Sequence, residues 1–405
     1  MAKEYIIFKG DCLDRLKELP DNSIDSVVTD PPYGLSKEPD IVEVLTKWMN
    51  GEPYDHGHGG FMGKSWDSFV PHPDIWREVF RVLKPGGHAL VFAGTRTQDL
   101  MTIALRLAGF EVRDVIEWLY FSGFPKSMDV SKAFDRRAGA ERKVVGTSNR
   151  GAGNTSDSVW VQEVGGGIYD GNSRTFEITA PATELAKKWN GWGTALKPAH
   201  EPIIMVRKPF KGAVIDCVEK YGTGAINIDA CRIGDEEVEA GRAGRRSKST
   251  FQNSELNGYT GVNKGRFPAN CITLDDDAFY SKYFNITPPE LSKKASKKDR
   301  NSDWQGKEIA ITEKVTTDGR KKPIDNAYNR GMTMRKNSHP TVKPTDLMAW
   351  LVRLVTPPGG TVLDPFAGSG STLVAAKREG FGFIGIERED EYIEIIEART
   401  GEAAD

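Results

Sequence analysis

Cysteine is scarce in this chain, and long apolar runs are missing from it. The 405 residues include four cysteines, at positions 12, 217, 231 and 271, and the absence of Cys-x-x-Cys spacing argues against a zinc ribbon or a disulfide framework. No apolar run approaches the about 20 residues that a helix needs to cross a bilayer. Residues 1–9 carry charges without the apolar segment of a signal peptide. We therefore expect a soluble, cytoplasmic protein with no membrane partner.

The chain also has no large excess of positive or negative charge. It contains 55 Lys and Arg and 57 Asp and Glu, which gives a formal net charge of −2. The whole chain therefore does not indicate a polyanionic partner. Histidine is rare, with six in the chain. His56 and His58 lie together in a glycine-rich loop that could hold a metal ion, but we expect a solvated loop and predict no metal site.

Residues 29–34, Thr-Asp-Pro-Pro-Tyr-Gly, follow the apolar run 24–28, which predicts a buried strand that passes into a turn. Proline fixes φ and donates no N–H, and it biases the preceding residue toward an extended conformation. The stiff edge that results carries the Asp30 carboxylate, the Pro31 carbonyl and the Tyr33 ring. These groups suit a planar amino group, with two acceptors and an aromatic plane. Taken alone, the segment is equally compatible with a strand that ends at a proline turn.

A second set of chemically suited residues lies near the end of the chain. A predicted strand at 362–364 precedes a turn with Gly368 and Gly370, where the backbone can approach a ligand because no Cβ intervenes. Glu387 ends the next predicted strand, where a carboxylate can bind the hydroxyls of a ribose. The alternative is a tight strand–helix turn without a ligand. NAD is a rival cofactor, but the third spaced glycine of the dinucleotide fingerprint is missing, so S-adenosylmethionine fits better.

Strand and helix patterns alternate along both ends of the chain. Apolar runs predict strands at residues 5–8, 24–28, 89–92, 115–121, 203–206, 362–364 and 383–387. Helical spacing predicts helices at 13–19, 75–83, 100–107 and 347–355, the second of them ended by Pro85-Gly86-Gly87. This alternation favours a parallel sheet covered by helices. Two glycine-rich stretches lack periodicity: we interpret 35–73 as a mobile loop that could act as a substrate lid, and 146–193 as an irregular insertion.

The middle of the chain is basic. Residues 241–340 contain 20 Lys and Arg against 11 Asp and Glu, a local balance that indicates nucleic acid. Aromatic residues lie among these cations at 251, 259, 267 and 304. A solvated, partly disordered loop is the alternative. The residues predicted to contact phosphates are Arg242, Arg245, Arg246, Lys264 and Arg266.

Three motifs together resemble the DNA amino-methyltransferases: Asp-Pro-Pro-Tyr at 30–33, His-Pro-Thr-Val-Lys-Pro at 339–344 and Asp-Pro-Phe-Ala-Gly-Ser-Gly at 364–370. Their order resembles the beta group, a circular permutation of the common arrangement, and the resemblance is good over about residues 5–125 and 336–398. It implies an α/β fold, the S-adenosylmethionine-dependent methyltransferase fold. This fold has a doubly wound, mostly parallel seven-stranded sheet with one reversed strand, here with an inserted target-recognition region.

The resemblance also divides the chain and assigns roles. The implied segments are a catalytic half at 1–145, a glycine-rich insertion at 146–195, a return strand at 196–225, a basic target-recognition region at 226–335 and a cofactor-binding half at 336–405. The catalytic motif is Asp30, Pro31, Pro32 and Tyr33. The implied cofactor residues are Asp364, Phe366, Gly368 and Gly370 in the pocket, Glu387 on the ribose, Asp11 and Cys12 near the adenine, and Thr341 and Lys343 on the methionine carboxylate.

The implied reaction moves a methyl group from the sulfonium of S-adenosylmethionine to an exocyclic amino nitrogen of a base in double-stranded DNA. The base would be flipped into the pocket and stack on Tyr33, while Asp30 and the Pro31 carbonyl accept its N–H groups. In the family a leading Asp with this motif order occurs mostly with adenine, so we predict N6-adenine methylation. The alternatives are N4-cytosine or RNA methylation, or a catalytically silent DNA-binding protein. A homodimer and a cognate restriction endonuclease are further expectations.

Overall fold

The computed structural model describes residues 4–405 except 36, 58–66, 121–126, 151–173, 240–261, 273–299, 302–308, 312, 316–320, 324–332, 336 and 338. The chain forms two compact units. The first contains Met1–Leu119 and Glu201–Asp405, and the second contains Tyr120–His200.

The strands, in chain order, are β1 Tyr5–Lys9, β2 Ile24–Thr29, β3 Leu83–Phe92, β4 Glu111–Leu119, β5 Val144–Arg150, β6 Arg174–Thr179, β7 His200–Arg207, β8 Ile233–Glu239, β9 Val262–Arg266, β10 Cys271–Ile272, β11 Ile309–Ile311, β12 Glu313–Val315, β13 Lys321–Pro323, β14 Thr333–Arg335, β15 Thr361–Asp364 and β16 Gly382–Glu387. The α-helices are α1 Cys12–Glu18, α2 Ile41–Met49, α3 Pro73–Val82, α4 Gln98–Leu107, α5 Val130–Ala138, α6 Glu184–Lys188, α7 Val214–Tyr221, α8 Thr345–Val355, α9 Ser371–Glu379 and α10 Asp390–Thr400. None of the helices in the described ranges is long and apolar enough to span a membrane.

The main sheet of the first unit has the strand order β1-β16-β15-β2-β3-β7-β4-β10. Neighbouring strands are parallel from β1 through β3, and β7 runs antiparallel to β3. The predicted doubly wound, mostly parallel α/β fold is confirmed, and the circular permutation places the late strands β15 and β16 between β1 and β2. Within the described residues the sheet has eight strands rather than the expected seven, because the two-residue strand β10 pairs with β4 at one edge.

Strand β2 shows why the centre of this sheet forms where it does. All six of its residues are buried, as in a parallel strand that helices cover on both faces. Helix α3 packs in the same core through Trp76, Val79 and Val82, which recur at three-residue intervals on one face. The core is therefore formed by β-branched strand residues between amphipathic helices.

The structure differs from the sequence predictions in three places. Residues 35–73, interpreted as a mobile loop, include helix α2, which Asp40 caps by accepting hydrogen bonds from the N–H groups of Val42 and Glu43. The stretch 146–193, expected to be irregular, contains most of β5, the antiparallel strand β6 and helix α6. Strand β3 begins at Leu83, so Pro85-Gly86-Gly87 lies within a strand instead of ending a helix.

The second unit is organised around one buried carboxylate. Asp135 on α5 accepts hydrogen bonds from the backbone N–H groups of Ala182 and Thr183 and from the Arg142 guanidinium. Burial opposes the ionisation of Asp135, but these hydrogen bonds lower its pKa to about 2. The carboxylate therefore ties α5 to the segment that begins α6.

Candidate active site

The two glycine- and proline-rich motifs lie at the carboxyl ends of neighbouring parallel strands. In β2 and β15, Ser26 pairs with Val362 and Val27 with Leu363, so Asp30 and Asp364 follow at the same edge of the sheet. From β15 the chain continues to β16 on one side, whereas from β2 it continues to β3 on the other. Such a switch in strand order opens the crevice in which doubly wound proteins bind ligands.

A buried hydrogen bond joins the ends of these two strands. The Thr29 hydroxyl donates to Asp364 Oδ1 at 2.6 Å, and the Phe366 N–H donates to the same oxygen at 3.1 Å. Burial raises the pKa of Asp364 to about 6, although the hydroxyl and backbone donors oppose this shift. Asp364 therefore joins the two motifs, and its role in the cofactor pocket stays a prediction.

Two side chains hold the segment after Asp30 in place through hydrogen bonds to its backbone. Asp67 Oδ1 accepts hydrogen bonds from the N–H groups of Tyr33 at 2.8 Å and Gly34 at 3.2 Å. The Thr97 hydroxyl donates to the Tyr33 carbonyl at 2.6 Å. Gly34 has a φ of +65°, and a Cβ there would lie 2.9 Å from the backbone nitrogen of Val70. The motif is thus fixed before any substrate arrives.

Four polar side chains meet at the end of β2. Lys343 Nζ lies 2.5 Å from Asp30 Oδ2 and 3.4 Å from Glu201 Oε2, and it donates to the Tyr33 hydroxyl at 3.1 Å. The Tyr33 hydroxyl donates in turn to Glu201 Oε2 at 3.1 Å. We call Asp30, Tyr33, Glu201 and Lys343 the catalytic cluster.

The environment of the cluster sets its protonation. Burial raises the pKa of Asp30 above its ordinary value, Lys343 opposes this rise and Glu201 adds to it. Burial lowers the pKa of Lys343, but Asp30 and Glu201 raise it by more than burial lowers it. The net pKa of Lys343 is therefore raised, and the side chain stays a charged ammonium. Burial, together with Asp30 and Glu201, also raises the pKa of Tyr33, which keeps the phenol neutral.

One oxygen of Asp30 is different from the rest of the cluster. Asp30 Oδ1 is buried and has no hydrogen-bond partner in the part of the chain that the structure describes. A buried acceptor without a donor costs free energy, on the order of 1–3 kcal/mol. This oxygen is therefore suited to an N–H group that a ligand brings.

A second carboxylate lies at the end of β16. Glu387 Oε2 accepts a hydrogen bond from the Gly368 N–H at 2.8 Å, and Oε1 accepts from the N–H groups of Arg388 and Glu389. Burial raises the pKa of Glu387 to about 7 although these backbone donors oppose the shift. A carboxylate has about four acceptor positions, so Glu387 keeps capacity for a further donor.

The glycine turn between β15 and α9 is tightly supported. Gly368 has a φ of +54°, and a Cβ there would lie 3.0 Å from His339 Nε2. The buried Arg399 donates to the Ser369 carbonyl at 2.6 Å and to the Ser371 hydroxyl at 3.1 Å. Gly370, the N-cap of α9, has a φ of +76°. The turn therefore has a fixed backbone that substitution at Gly368 would disturb.

The other predicted cofactor residues lie at two places. The Gly10 N–H donates to the Glu387 carbonyl at 2.9 Å, which brings Asp11 and Cys12 to the end of β16. Asp11 Oδ1 accepts from the Leu13 N–H and caps α1. Thr341 is exposed. Phe366 packs against Trp76 with the ring centroids 6.0 Å apart. Lys343 lies in the catalytic cluster. The predicted contact of Thr341 and Lys343 with the methionine carboxylate of the cofactor stays a prediction.

The predicted DNA contacts are described in part. Arg242, Arg245 and Arg246 lie outside the described residues, whereas Lys264 and Arg266 lie on β9. Lys264 is 3.5 Å from an Asp235 carboxylate oxygen, and its side chain is 74% exposed. Arg266 forms an ion pair at 2.9 Å with Glu236. Lys264 is therefore accessible to solvent anions, and a phosphate role for either residue stays a prediction.

The histidine-containing loop is also described in part, because His58 lies outside the described residues. His56 stacks on Phe69 with ring centroids 5.3 Å apart. Among the described residues, no group of three or more His, Cys, Asp or Glu side chains is arranged to hold a metal ion.

Sequence reasoning did not identify Glu201, Asp67 or Thr97 as site residues. Glu201 is the second residue of β7, the strand that runs antiparallel to β3, and the resemblance implies one reversed strand without identifying it. The start of a reversed strand lies at the edge where the parallel strands end, and that edge carries the motifs. Asp67 and Thr97 act through the backbone of Tyr33 and have no motif of their own.

Two Type II methyltransferases are similar to this chain in sequence. The Type II methyltransferase M.HindIII from Haemophilus influenzae is 24% identical, and the alignment covers 98% of this chain and 94% of that protein. The Type II methyltransferase M2.DpnII from Streptococcus pneumoniae is 49% identical over 61 residues, 15% of this chain and 23% of that protein.

Solved structures of DNA methyltransferases are also similar. The cytosine-N4-specific PvuII DNA methyltransferase has a TM-score of 0.45 and 16% identity, with 97% of this chain and 85% of that chain covered. The putative DNA modification methylase TTHA0409 from Thermus thermophilus, complexed with S-adenosyl-L-methionine, has a TM-score of 0.39 and 16% identity, with coverage of 98% and 95%.

Membership of a family depends on the sequence profile rather than on these structural similarities. The profile described as DNA methylase, N6_N4_Mtase, matches residues 24–398. The matched range contains β2 and the Asp-Pro-Pro-Tyr motif after it, the His-Pro-Thr-Val-Lys-Pro motif, and β15 with its glycine turn. The chain therefore belongs to the N6_N4_Mtase family of DNA methylases.

Proposed function

We propose that this DNA methyltransferase methylates the N6 amino group of adenine at a specific site in duplex DNA, with the target base flipped out of the helix. S-adenosylmethionine is the cofactor of the family. The observation that carries the proposal is Asp30 Oδ1, a buried acceptor without a donor among the described residues, at the crevice between β2 and β15. An exocyclic amino group supplies the missing N–H.

The residues at the end of β15 and β16 fit S-adenosylmethionine. Glu387 would accept a ribose hydroxyl with its remaining acceptor capacity, and Gly368 and Gly370 would let the backbone approach the cofactor. Asp11 and Cys12, beside the end of β16, would face its adenine. When bound, the cofactor supplies an electrophilic methyl group whose bonding electron pair stays on sulfur.

The catalytic cluster would prepare the nitrogen that receives this methyl group. An arylamine is a poor nucleophile because its lone pair is delocalised into the ring. Hydrogen bonds from the amino group to Asp30 Oδ1 and to the Pro31 carbonyl would favour a pyramidal nitrogen and direct the lone pair away from the acceptors. Acceptors that are fixed where positive charge develops stabilise the transition state. The raised pKa of Asp30 also makes its carboxylate a better acceptor for the proton that leaves afterwards.

Tyr33 would receive the base itself. Its hydroxyl is held by Lys343 and Glu201, and its backbone by Asp67 and Thr97. A ring that is fixed at both ends offers a stacking surface at little entropic cost. An enzyme that acts on a base within a duplex has to extrude it, and a fixed aromatic plane would hold the extruded base.

Adenine is favoured over cytosine because the motif begins with Asp30 and precedes the cofactor motif, an order that resembles adenine-specific enzymes of the beta group. The PvuII enzyme, which is described as cytosine-N4-specific, represents the alternative. The test is nucleoside analysis by mass spectrometry of DNA from a methylation-free host that expresses the protein. N6-methyladenine is expected, and N4-methylcytosine without N6-methyladenine would refute the adenine assignment.

An Asp30→Asn variant is the matched control, since it keeps the shape of the side chain and removes its charge. We expect the methylation rate to fall by about 10²–10³-fold, as for the loss of one preorganised group. The binding of S-adenosylmethionine should stay within about threefold of wild type. Modification-sensitive sequencing of the same DNA would show whether methyladenine recurs at one sequence motif, and scattered modification would contradict site specificity.

The basic target-recognition region at 226–335 is proposed to contact DNA phosphates. Each phosphate contact contributes about −0.9 to the slope of log K against log salt concentration. The Lys264→Ala variant is therefore expected to reduce that slope by about one. An unchanged slope would remove Lys264 from the interface. The homodimer and the cognate nuclease stay predictions.

A further inference from the structure

Glu201 reaches the catalytic cluster from the reversed strand β7. Because β7 runs antiparallel to β3, its start lies at the edge where β2 and β3 end, and the Ala93 N–H donates to the Pro202 carbonyl there at 3.0 Å. The Glu201 side chain is 15% exposed. Its carboxylate thus lies in the same partly buried space as Asp30, although the two residues are far apart in sequence.

Glu201 offsets the effect of the Lys343 charge on Asp30. The ammonium has three N–H donors, and it has an acceptor for each of them in Asp30, the Tyr33 hydroxyl and Glu201. Without Glu201, Asp30 and Lys343 would form a neutral pair with one cation beside the reacting nitrogen. A pair with no net charge would stabilise the positive charge that methylation creates less well than a group with a net negative charge. Glu201 therefore leaves these three ionised groups with one net negative charge.

We propose that Glu201 is a positioning residue for methyl transfer: it balances the charge of Lys343 and holds the Tyr33 hydroxyl, which leaves a net negative charge beside the target amino group and Asp30 Oδ1 open to accept its N–H. This inference rests on the proposed function. In the reaction, the nitrogen lone pair forms the N–C bond, the pair of the broken C–S bond stays on sulfur, and positive charge passes from sulfur to nitrogen. One N–H proton then leaves through Asp30 Oδ1 to solvent, so atoms and charge balance.

The pH dependence of the reaction reports this arrangement. The described groups that act on Asp30 are Lys343, Glu201, Tyr33 and Asp364. Lys343 lowers the pKa of Asp30, whereas Glu201 raises it. Tyr33 stays neutral in the working range because its own pKa is raised. Activity requires ionised Asp30, so it falls as the pH falls through the pKa of this group.

The experiment measures kcat, KM and the pH profile of methyl transfer for Glu201→Gln. The variant keeps the shape of the side chain and one acceptor oxygen but removes its charge and replaces the other oxygen with an NH2 donor. We expect kcat to fall about tenfold, less than the 10²–10³ of a group in direct contact, with KM nearly unchanged. The acid limb of the profile should move to lower pH, because a carboxylate that raises the pKa of Asp30 has been removed. Glu201→Asp, which keeps the charge, should retain the wild-type acid limb.

The matched control is Glu379→Gln, which removes the ion pair with Arg353 at 2.7 Å at the far end of α9. It should leave both kcat and the acid limb unchanged. Wild-type kcat and acid limb in Glu201→Gln, or the same shift in Glu201→Asp as in Glu201→Gln, would overturn the inference while the proposed function stood. A wild-type protein that leaves adenine unmethylated would overturn the proposed function as well.

Discussion

The hydroxyl of Thr29 donates to Asp364 Oδ1 at 2.6 Å, across 335 residues of sequence. Thr29 precedes Asp30, the proposed catalytic residue, and Asp364 opens the glycine turn. Because both residues are buried, the bond is shielded from water, and removing the Thr29 hydroxyl takes away one donor to Asp364 Oδ1, which keeps the Phe366 N–H. This hydrogen bond therefore couples the proposed site for the amino group to the proposed site for the cofactor.

The first prediction concerns this bond. Thr29→Val keeps the side-chain shape and removes the donor, so the variant should lose about 1–3 kcal/mol of unfolding free energy. The pKa of Asp364 should rise above about 6, since the Thr29 hydroxyl lowers it. Methyl transfer should slow as the two motifs lose their fixed distance. Urea unfolding and steady-state kinetics would measure these effects.

Thr356→Val is the control for Thr29→Val. Thr356 shares a buried hydrogen bond of 2.8 Å with Ser26, farther from the motifs along β2. It should cost similar stability and leave kcat unchanged. Equal loss of kcat in both variants would show that general stability, rather than the Thr29–Asp364 bond, governs the rate.

The second prediction concerns Lys343→Met, which removes the cation between Asp30 and Glu201. The pKa of Asp30 should rise because the group that lowers it is gone, so the acid limb of activity should move to higher pH, opposite to the shift in Glu201→Gln. Breaking a buried pair costs on the order of 3–5 kcal/mol of unfolding free energy. A raised carboxyl pKa in the folded state means that stability is lost as pH rises, so this cost should be smaller at pH 5 than at pH 7.

Lys84→Met provides the comparison, since Lys84 pairs with Asp25 at 2.5 Å near the opposite ends of β2 and β3. It should lower stability without moving the acid limb. An acid limb that does not move in Lys343→Met would contradict the assignment of that limb to Asp30.

The third prediction concerns Glu387, whose pKa is raised to about 7. The ionised carboxylate is proposed to accept a ribose hydroxyl, and protonation would remove that acceptor. The Kd for S-adenosylmethionine should therefore rise as the pH falls from 8 to 6, by at most about tenfold per pH unit. Isothermal titration calorimetry would measure it, and Glu387→Gln should show weaker binding with little pH dependence. A wild-type Kd that is constant over this range would exclude Glu387 as the titrating contact.

The fourth prediction concerns Gly368→Ala. The substitution places a Cβ 3.0 Å from His339 Nε2 at a φ of +54°, and an L-residue in this conformation costs roughly 1–2 kcal/mol. The backbone of the turn should shift, and S-adenosylmethionine should bind at least about tenfold more weakly.

Gly359→Ala has the same kind of strain, with a φ of +74°, but a Cβ there meets nothing within 4 Å. It should lower stability and leave cofactor affinity unchanged. If both glycine variants bind S-adenosylmethionine equally well, the turn at Gly368 does not approach the cofactor.

Local patterns explain what could be predicted from the sequence. The apolar runs before Asp30, Asp364 and Glu387 lie in buried parallel strands. The observed ends of these strands are within a residue or two of the predicted ends. Helix α2 was missed because glycines on its C-terminal side dominate the composition, although Asp40 is a good N-cap. Strand β10 could not be predicted, since two residues carry no periodicity and pair only because β4 offers an open edge.

The sequence by itself determined the family, the order of the motifs and the residues that end β2, β15 and β16, because these depend on short segments of chain. Tertiary structure decided which side chains share a charge environment. Lys343, which its motif assigns to the methionine carboxylate of the cofactor, is hydrogen-bonded to Asp30. Glu201 lies beside Lys343 because β7 runs antiparallel to β3. Ion pairs act over a few ångströms of space rather than along the chain, so only the folded sheet brings these charges together.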